Sequence, residues 1–254
     1  MKNILITGAT ENTGLAIAKK FAENGWGVGI TSREKEKSEE AARKIAEEFS
    51  VPARGYALEL LNTEGIKAVF SAFEKDFGSL DAFVANAANL GVDFGLLNTD
   101  EANFSAIVDA NVKGTFFCCQ AAAEIMKRGA GGAIVTIGSV QANGAVRGRT
   151  VYSMTKAAIS ALVKNMAYEL GEYGIRANNL VAGAIHSARW DVLSEEVKAQ
   201  RRSRYPVGRE STEEEIANGV FFLGTDLSSS TTGTDLVIDS GISICMLPYS
   251  KSNQ

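Results

Sequence analysis

The 254-residue sequence predicts an α/β fold, a doubly wound parallel sheet of about seven strands with helices on both faces. Short apolar segments alternate with longer amphipathic segments along the chain. The short segments are largely apolar instead of alternating with polar residues, which is typical of parallel strands covered on both faces. No linker, low-complexity tract or repeat interrupts the pattern, so residues 1–254 are predicted to form one domain.

Apolar runs predict strands at residues 3–7, 28–31, 53–58, 82–85, 133–137, 175–181 and 235–238. Apolar residues at helical spacing predict helices at 14–24, 35–49, 63–77, 152–173 and 212–223, and one long helix or two joined pieces at 101–128. In the first helix Leu15, Ala18 and Phe21 share a face, and Gly25 is a stop signal. Residues 187–211 are predicted to be a polar, partly helical insertion.

Composition argues against several classes of protein. Twenty-six basic and 30 acidic residues leave a net charge of −4, without the basic footprint of a nucleic-acid-binding protein. No segment approaches about 18 consecutive apolar residues, and the N-terminus does not resemble a signal peptide, so we expect a cytoplasmic protein outside the membrane. A single histidine and no Cys-x-x-Cys predict no metal site. The three cysteines, an odd number, do not make a disulfide framework, and Cys118 and Cys119 are predicted to be buried thiols.

The first predicted strand leads into a glycine-containing turn at residues 7–14, TGATENTG, and then into a helix. In that order, the free N–H groups and the positive dipole end of the helix can bind the pyrophosphate of a dinucleotide. Glycine at a strand–helix turn is also common for steric reasons, so the turn alone leaves both interpretations open.

A second group of residues has a spacing with a chemical use. Ser139 follows the fifth predicted strand, and Tyr152 and Lys156 lie four positions apart on the next helix, on one face. A phenol with a pKa near about 10 is a poor acid or base at neutral pH, and a nearby ammonium lowers that pKa. Ser139, at the carboxyl end of a strand, can donate a hydrogen bond to a substrate oxygen.

Taken in order, these motifs resemble those of the short-chain dehydrogenase/reductase family over nearly the whole chain, from Ile4 to Gly241. The matching segments are 7–14 for the cofactor turn, 81–88 for the fourth-strand motif, 111–114 for the helix motif, Ser139, Tyr152 and Lys156 for the catalytic residues, 182–187 for the segment that closes on the nicotinamide, and 239–241 for the C-terminal motif. The resemblance implies a Rossmann-type fold and reversible hydride transfer between a nicotinamide and an alcohol or carbonyl.

The resemblance also implies a role for each site residue. Tyr152 would be the general acid in reduction and the general base in oxidation. Lys156 would lower the pKa of Tyr152 and hold the nicotinamide ribose, Ser139 would orient the substrate oxygen, and Asn111 would hold a water that relays protons from Lys156. Together with Tyr152 and Lys156, the implied cofactor contacts are Gly8, Thr10, Asn12, Thr13, Gly14, Ser32, Arg33, Glu59, Leu60, Asn86, Ala87, Ile185 and Ser187. The implied substrate contacts are Ser139, Gln141 and Tyr152.

The end of the second strand favours NADP(H) over NAD(H). Relatives that prefer NAD carry an acid at the position of Ser32, whereas here Arg33 follows and can contact a 2′-phosphate. Glu11 opposes this, since many NADP-dependent relatives have a basic residue there.

The chain departs from the family pattern at a few positions. Asn12 replaces the middle glycine of the cofactor turn, and asparagine is among the few residues that tolerate positive φ. The other departures are Ala85 for asparagine, Ala88 for glycine, Ala182 for proline and Ser240 for glycine. Two alternatives to a reductase therefore stay open, a cofactor-binding regulatory module and a non-redox member with dehalogenase or epimerase chemistry.

The expected partners are a small carbonyl or alcohol substrate and a second copy of the chain. The arginines of the substrate side would suit an anionic substrate, although a solvated helical face explains them more simply: Arg147, Arg149, Arg189, Arg201, Arg202 and Arg204. Family members are commonly dimers or tetramers that pair the long helices at 101–128 and 152–173. Burial in that interface or in the core would suit Phe116, Phe117, Ala158, Leu162 and Met166 equally well. The tail at 242–254 is predicted to reach a neighbouring subunit.

Overall fold

The computed structural model of the chain describes residues 1–91 and 94–245. In that part of the chain, one sheet contains β1 (Asn3–Ile6), β2 (Gly27–Ser32), β3 (Ala53–Ala57), β4 (Ala82–Ala85), β5 (Gly132–Ser139), β6 (Ile175–Ala182) and β7 (Asp235–Ile238). The strands are parallel and lie in the order β3-β2-β1-β4-β5-β6-β7. The predicted doubly wound parallel sheet of about seven strands is confirmed.

Helices cover both faces of the sheet. They are α1 (Asn12–Glu23), α2 (Lys35–Phe49), α3 (Thr63–Phe77), α4 (Glu101–Val108), α5 (Thr115–Arg128), α6 (Thr150–Leu170), α7 (Ala188–Asp191), α8 (Glu195–Arg202) and α9 (Glu213–Gly224). The predicted bounds of α2 and α3 are confirmed, while those of α1, α6 and α9 differ from the structure by one to three residues at an end. The helix predicted to reach Tyr173 ends at Leu170, because residues 171–173 form a 3₁₀ turn.

The predicted helix at 101–128 is two α-helices joined by a π-helical segment, Asp109–Gly114. Such wider turns occur frequently at functional sites. Gly114 ends the segment, and an added Cβ there would lie 2.7 Å from the carbonyl oxygen of Leu60. Glycine therefore lets the chain pass close to the loop that follows β3.

Two apolar clusters hold the layers together. On one face, α1, α2 and α9 pack on the sheet around Phe21 and Ile30, and on the other α3, α5 and α6 pack around Phe70 and Phe83. Cys118 and Cys119 belong to the second cluster, and burial raises the pKa of the Cys118 thiol to about 12. The two thiols thus act as small apolar side chains.

The candidate interface residues divide between core and surface. Met166 is in the core, whereas Phe117 and Leu162 are half-buried and pack against it. Phe116 is 43% exposed and remains available for a contact outside the core. Residues 246–254 of the predicted subunit-reaching tail lie outside the described part.

The strand order reverses between β1 and β4, because β2 follows β1 on one side and β4 lies on the other. Open α/β sheets bind ligands at such a point, outside the carboxyl ends of the strands. The predicted insertion at 187–211 contains α7 and α8 and begins just beyond β6, at this same edge. In the described residues, no helix is both long enough and apolar enough to span a membrane.

Candidate active site

The turn after β1 is built for close packing at its two glycines. Gly8 has a φ of +63°, in the left-handed region. A Cβ on Gly14 would lie 2.3 Å from the Gly8 carbonyl oxygen and 2.7 Å from Nδ2 of Asn86. Neither approach tolerates a side chain, so Gly14 is required by the fold of the turn itself.

Thr7 and Asn86 stabilise this turn through hydrogen bonds. The Thr7 hydroxyl accepts hydrogen bonds from the backbone N–H groups of Asn86 and Ala87, each at 3.0 Å. In return, Nδ2 of Asn86 donates to the carbonyl oxygens of Thr7 at 3.0 Å and Gly8 at 2.8 Å. The resemblance implies that Asn86 contacts the cofactor, and in the structure its amide also fixes the shape of the turn after β1. No local pattern indicates this role of Thr7, because its partners lie 79 and 80 residues away.

The first turn of α1 keeps its N–H groups available. Glu11 is the N-cap residue and makes no side-chain cap hydrogen bond. Asn12 adopts a φ of +48°, so asparagine takes the conformation expected of the glycine it replaces. A helix N-terminus without a cap, beside a turn that excludes side chains, fits an anionic pyrophosphate.

Polar and charged groups surround the end of β2. The Ser32 hydroxyl closes a local turn, donating to the carbonyl oxygen of Glu34 and accepting from its N–H at 3.1 Å. Arg33 is exposed, and Lys37 forms a 2.6 Å ion pair with Glu34. Arg33 and Glu11 both act electrostatically on Lys37, so these groups share one corner of the cleft. The sequence does not single out Lys37, because its place in a run of charged residues indicates only a solvated helix face.

The three candidate catalytic residues converge at the carboxyl ends of β5 and β6. Ser139 is the last residue of β5 and pairs with Ala182, while Tyr152 and Lys156 lie on α6. Lys156 is 6% exposed, and its Nζ donates a 2.7 Å hydrogen bond to the carbonyl oxygen of Ile137. The Lys156 Nζ lies 5.6 Å from the centre of the Tyr152 ring.

The ionisation of Tyr152 differs from the prediction. Burial raises the pKa of the phenol, and a hydrogen bond with Ser139 and the positive charge of Arg149 oppose that rise. Burial also lowers the pKa of the Lys156 amine to about 8. The expected lowering of the Tyr152 pKa is not seen in the protein alone, because burial of the phenol is the largest influence and raises that pKa.

Asn111 lies in the π-helical segment, and its side chain makes three hydrogen bonds within the protein. Its Oδ1 accepts a 2.7 Å hydrogen bond from the N–H of Asn89, and its Nδ2 donates to the carbonyl oxygen of Asn89 at 2.9 Å. Nδ2 also donates to the Thr155 hydroxyl at 3.2 Å. The side chain is 2% exposed and ties a loop to α6, and the water relay from Lys156 through Asn111 stays a prediction.

The remaining predicted residues lie in or next to loops that follow the strands. Glu59 and Leu60 lie in the loop after β3, next to Gly114. Thr10 and Thr13 flank Asn12 in the cofactor turn, and Ile185 and Ser187 lie between β6 and α7. The carbonyl oxygen Oε1 of Gln141 is buried and accepts no hydrogen bond from the described residues.

Sequence and structure comparisons find relatives over nearly the whole chain. A family model described as enoyl-(acyl carrier protein) reductase matches residues 8–243. The 3-oxoacyl-[acyl-carrier-protein] reductase FabG of Staphylococcus aureus is 33% identical over 246 residues, which cover 95% of this chain and 98% of the relative. A gluconate 5-dehydrogenase from Burkholderia cenocepacia J2315, solved with NADP and tartrate, has a TM-score of 0.90 at 28% identity, covering 96% of this chain and 95% of that one. An NAD⁺-bound xylitol dehydrogenase has a TM-score of 0.88 at 28% identity, covering 94% of this chain and 98% of that one.

Proposed function

The chain belongs to the short-chain dehydrogenase/reductase family, and on that premise we propose that it transfers a hydride between NADP(H) and a carbonyl or secondary alcohol. The protein is an NAD(P)-dependent oxidoreductase that acts on CH–OH or carbonyl groups. One observation carries the finer proposal. A half-buried phenol, a serine hydroxyl and a buried amine converge at the sheet edge where such folds bind dinucleotides.

The residues of the β1–α1 turn fit a dinucleotide. Gly8 and Gly14 leave a cradle that a Cβ would fill, and the uncapped N-terminus of α1 supplies N–H donors for phosphate. Thr10, Thr13 and Asn12 lie around this cradle. When bound, the cofactor supplies or accepts the hydride, and the protein orients it and manages the proton.

The corner formed by Ser32, Arg33 and Lys37 supports a preference for NADP(H). A 2′-phosphate needs positive charge and hydrogen-bond donors, and Arg33 is exposed at the end of β2. No acid occupies position 32 to bind a ribose 2′-hydroxyl. Glu11 lies close enough to act electrostatically on Lys37, and its negative charge opposes the preference.

In carbonyl reduction, we propose that Tyr152 donates the proton to the substrate oxygen. Because burial raises its pKa, the phenol is neutral at pH 7 and already carries the proton. The Ser139 hydroxyl orients the same oxygen, and its own position is fixed, since it caps the turn at residues 140–142 by accepting from the N–H of Gln141 at 3.2 Å. The Lys156 amine, held by Ile137, is the group proposed to bind the nicotinamide ribose.

Gln141 supports a substrate with a hydrogen-bond donor near the reacting carbon. A buried carbonyl oxygen without a donor costs free energy in the empty protein, on the order of 1–3 kcal/mol. A hydroxyl group on the substrate would satisfy it, which favours hydroxy ketones, sugars or polyols over a substrate with no donor beside its carbonyl. The gluconate and xylitol dehydrogenases among the relatives act on compounds of this kind.

We also propose that the enzyme is a cytoplasmic homodimer or homotetramer. A cavity of about 300 Å³ lies between α4 and the start of α6, and the apolar side chains of Leu96, Phe104 and Met154 that line it are exposed. A second copy of the chain would cover such a surface.

A panel of carbonyl substrates tests the proposal. NADPH consumption is followed by absorbance with a hydroxy ketone, a ketose, a simple ketone and a 3-oxoacyl thioester, and each is repeated with NADH. We expect turnover with the hydroxylated carbonyls and a higher kcat/KM with NADPH. Tight NADPH binding without turnover on any of the substrates would favour a regulatory module, and epimerisation of the ketose without a change in NADPH would favour non-redox chemistry.

A further inference from the structure

A buried acid lies at the base of the 187–211 insertion. Glu210 is 3% exposed, and the Arg202 guanidinium donates to both of its carboxylate oxygens, from Nε at 2.9 Å and from Nη2 at 2.7 Å. Oε1 of the same carboxylate lies 2.8 Å from Nδ1 of His186. This bidentate ion pair lowers the pKa of Glu210 to about 2, and the carboxylate is therefore ionised at neutral pH.

His186 faces a second carboxylate with its other ring nitrogen. Its Nε2 lies 3.0 Å from Oδ1 of Asp191. An ionised carboxylate only accepts hydrogen bonds, whereas a neutral imidazole has one donor nitrogen and one acceptor nitrogen. Both contacts are hydrogen bonds only when both ring nitrogens carry protons. The geometry thus requires the charged imidazolium in this arrangement, and the hydrogen bond to Glu210 raises the pKa of His186 accordingly.

These contacts join the separate parts of the insertion. The N–H of His186 donates to the carbonyl oxygen of Ser211 at 2.8 Å, and the N–H of Ser211 donates to the carbonyl oxygen of Ala184 at 3.1 Å. His186 and Glu210 therefore lie on the two chain segments that enter and leave the insertion. Asp191 belongs to α7 and Arg202 to α8, and the Arg202 guanidinium lies 5.8 Å from the centre of the Trp190 ring.

We infer that Glu210 is a positioning residue that holds the insertion closed over the cofactor through a doubly protonated His186 and through Arg202. The inference rests on the proposed function, in which Ile185 and Ser187, the two neighbours of His186, contact the nicotinamide side. Loss of the imidazolium proton removes one of the two hydrogen bonds of His186 and the attraction to both carboxylates. The contact that joins α7 to the segment at the end of the insertion, through His186, is then lost.

The direction of the pH dependence follows from the charges that face His186. They are Asp191 on α7, Arg202 on α8, Glu210 beside it, and Glu213 at the start of α9, which is within electrostatic reach. Because three acids and one arginine surround the imidazole, their net negative charge favours its protonated form. A histidine with a raised pKa contributes stability below its unfolded pKa of about 6.5 and loses it as the pH rises through the folded pKa. The closed insertion, and with it cofactor affinity, is expected to weaken above that point.

The single histidine of the chain makes the test direct. The ring signals of His186 are titrated by NMR in the wild type, in Glu210→Gln and in Asp191→Asn. Glu195→Gln is the control, because it removes an acid that forms an exposed ion pair with Lys198 on the same insertion. We expect a midpoint above about 6.5 in the wild type and a midpoint lower by about one pH unit in Glu210→Gln. A wild-type midpoint at or below 6.5, or the same midpoint in Glu210→Gln, would overturn the inference.

The coupling to the cofactor is measured by repeating the titration with saturating NADPH. Linkage requires that a ligand bound tenfold more tightly by the protonated form raises the midpoint by about one unit. We expect this rise in the wild type and in Glu195→Gln, its loss in Glu210→Gln, and a KM for NADPH that increases with pH while kcat changes little. NADPH that binds without moving the midpoint would refute the positioning role. Failure of NADPH to bind would refute the proposed function instead, and the midpoints without NADPH would still decide the contact between Glu210 and His186.

Discussion

Replacing Lys156 by methionine is expected to make the protein more stable at neutral pH while it removes activity. Burial lowers the pKa of Lys156 from 10.5 to about 8, and one pKa unit corresponds to about 1.36 kcal/mol. The charged amine therefore destabilises the folded protein by about 3 kcal/mol at pH 7. Methionine has a similar length and no charge. The substitution also removes the hydrogen bond that Lys156 donates to the carbonyl oxygen of Ile137, which offsets about 1–2 kcal/mol of the gain in stability. The net expectation is a free energy of unfolding higher by about 1–2 kcal/mol at pH 7.

The pH dependence gives this prediction its sign. Between the folded pKa of about 8 and the unfolded value near 10.5, the unfolded chain binds more protons at this site, so wild-type stability rises with pH. Lys156→Met lacks this rise, and its advantage is expected to vanish or reverse by about pH 10.

Urea unfolding at pH 7, 8, 9 and 10 measures the difference between the two proteins, with Lys164→Met as the control, an exposed lysine on the same helix. Parallel stability curves for wild type and Lys156→Met across this range would refute the destabilising effect of burial on the Lys156 amine. A free energy of unfolding that is lower by several kcal/mol in Lys156→Met than in the wild type at pH 7 would also refute it. That result would mean that the folded protein stabilises the charged amine instead of destabilising it through burial.

Two further substitutions test the cofactor side. Gly14→Ala places a Cβ 2.3 Å from the Gly8 carbonyl oxygen, so we expect it to lose about 1–3 kcal/mol of stability and most of its NADPH affinity, as measured by thermal unfolding and fluorescence titration. The matched control is Gly171→Ala, where nothing lies within 4 Å of the added Cβ, and equal effects in the two variants would contradict the packing argument. Arg33→Ala removes the exposed charge at the end of β2 and should lower kcat/KM for NADPH about tenfold, roughly the loss of one charge-assisted hydrogen bond, with little change for NADH. Lys35→Ala, which removes a nearby exposed cation, is its control, and an equal loss with both cofactors in Arg33→Ala would argue against a 2′-phosphate contact.

Local sequence pattern was sufficient for the sheet and most of the helices. The inner strands β1, β2, β4, β5 and β6 are mostly buried on both faces, which explains their largely apolar sequences, whereas the edge strands β3 and β7 are partly exposed. Asn12 is a similar case, since its tolerance of positive φ is an intrinsic property and the structure uses it. The exact ends of α6 were less predictable, because the last turn changes to a 3₁₀ turn before Gly174.

What the sequence could not predict depends on distant contacts. The pKa of Tyr152 was misjudged because proximity to Lys156 can be read from spacing, whereas burial of the phenol depends on how α6 packs. The engagement of Asn111 by Asn89 joins residues 22 positions apart through a loop. The contacts of His186 with Glu210 and of Glu210 with Arg202 likewise exist only once the insertion has folded. No periodicity or motif marks any of these pairs.

The proposed function depends on proton transfer by the Tyr152 phenol, and Tyr152→Phe is the substitution that isolates this step. The substitution removes one hydroxyl and keeps the ring on α6. Kinetics with the best substrate of the panel and a separate NADPH titration are compared with those of the wild type. We expect kcat to fall by about 10²–10⁴-fold while the Kd for NADPH stays within about twofold. A variant that binds NADPH normally and keeps most of its kcat would contradict the account.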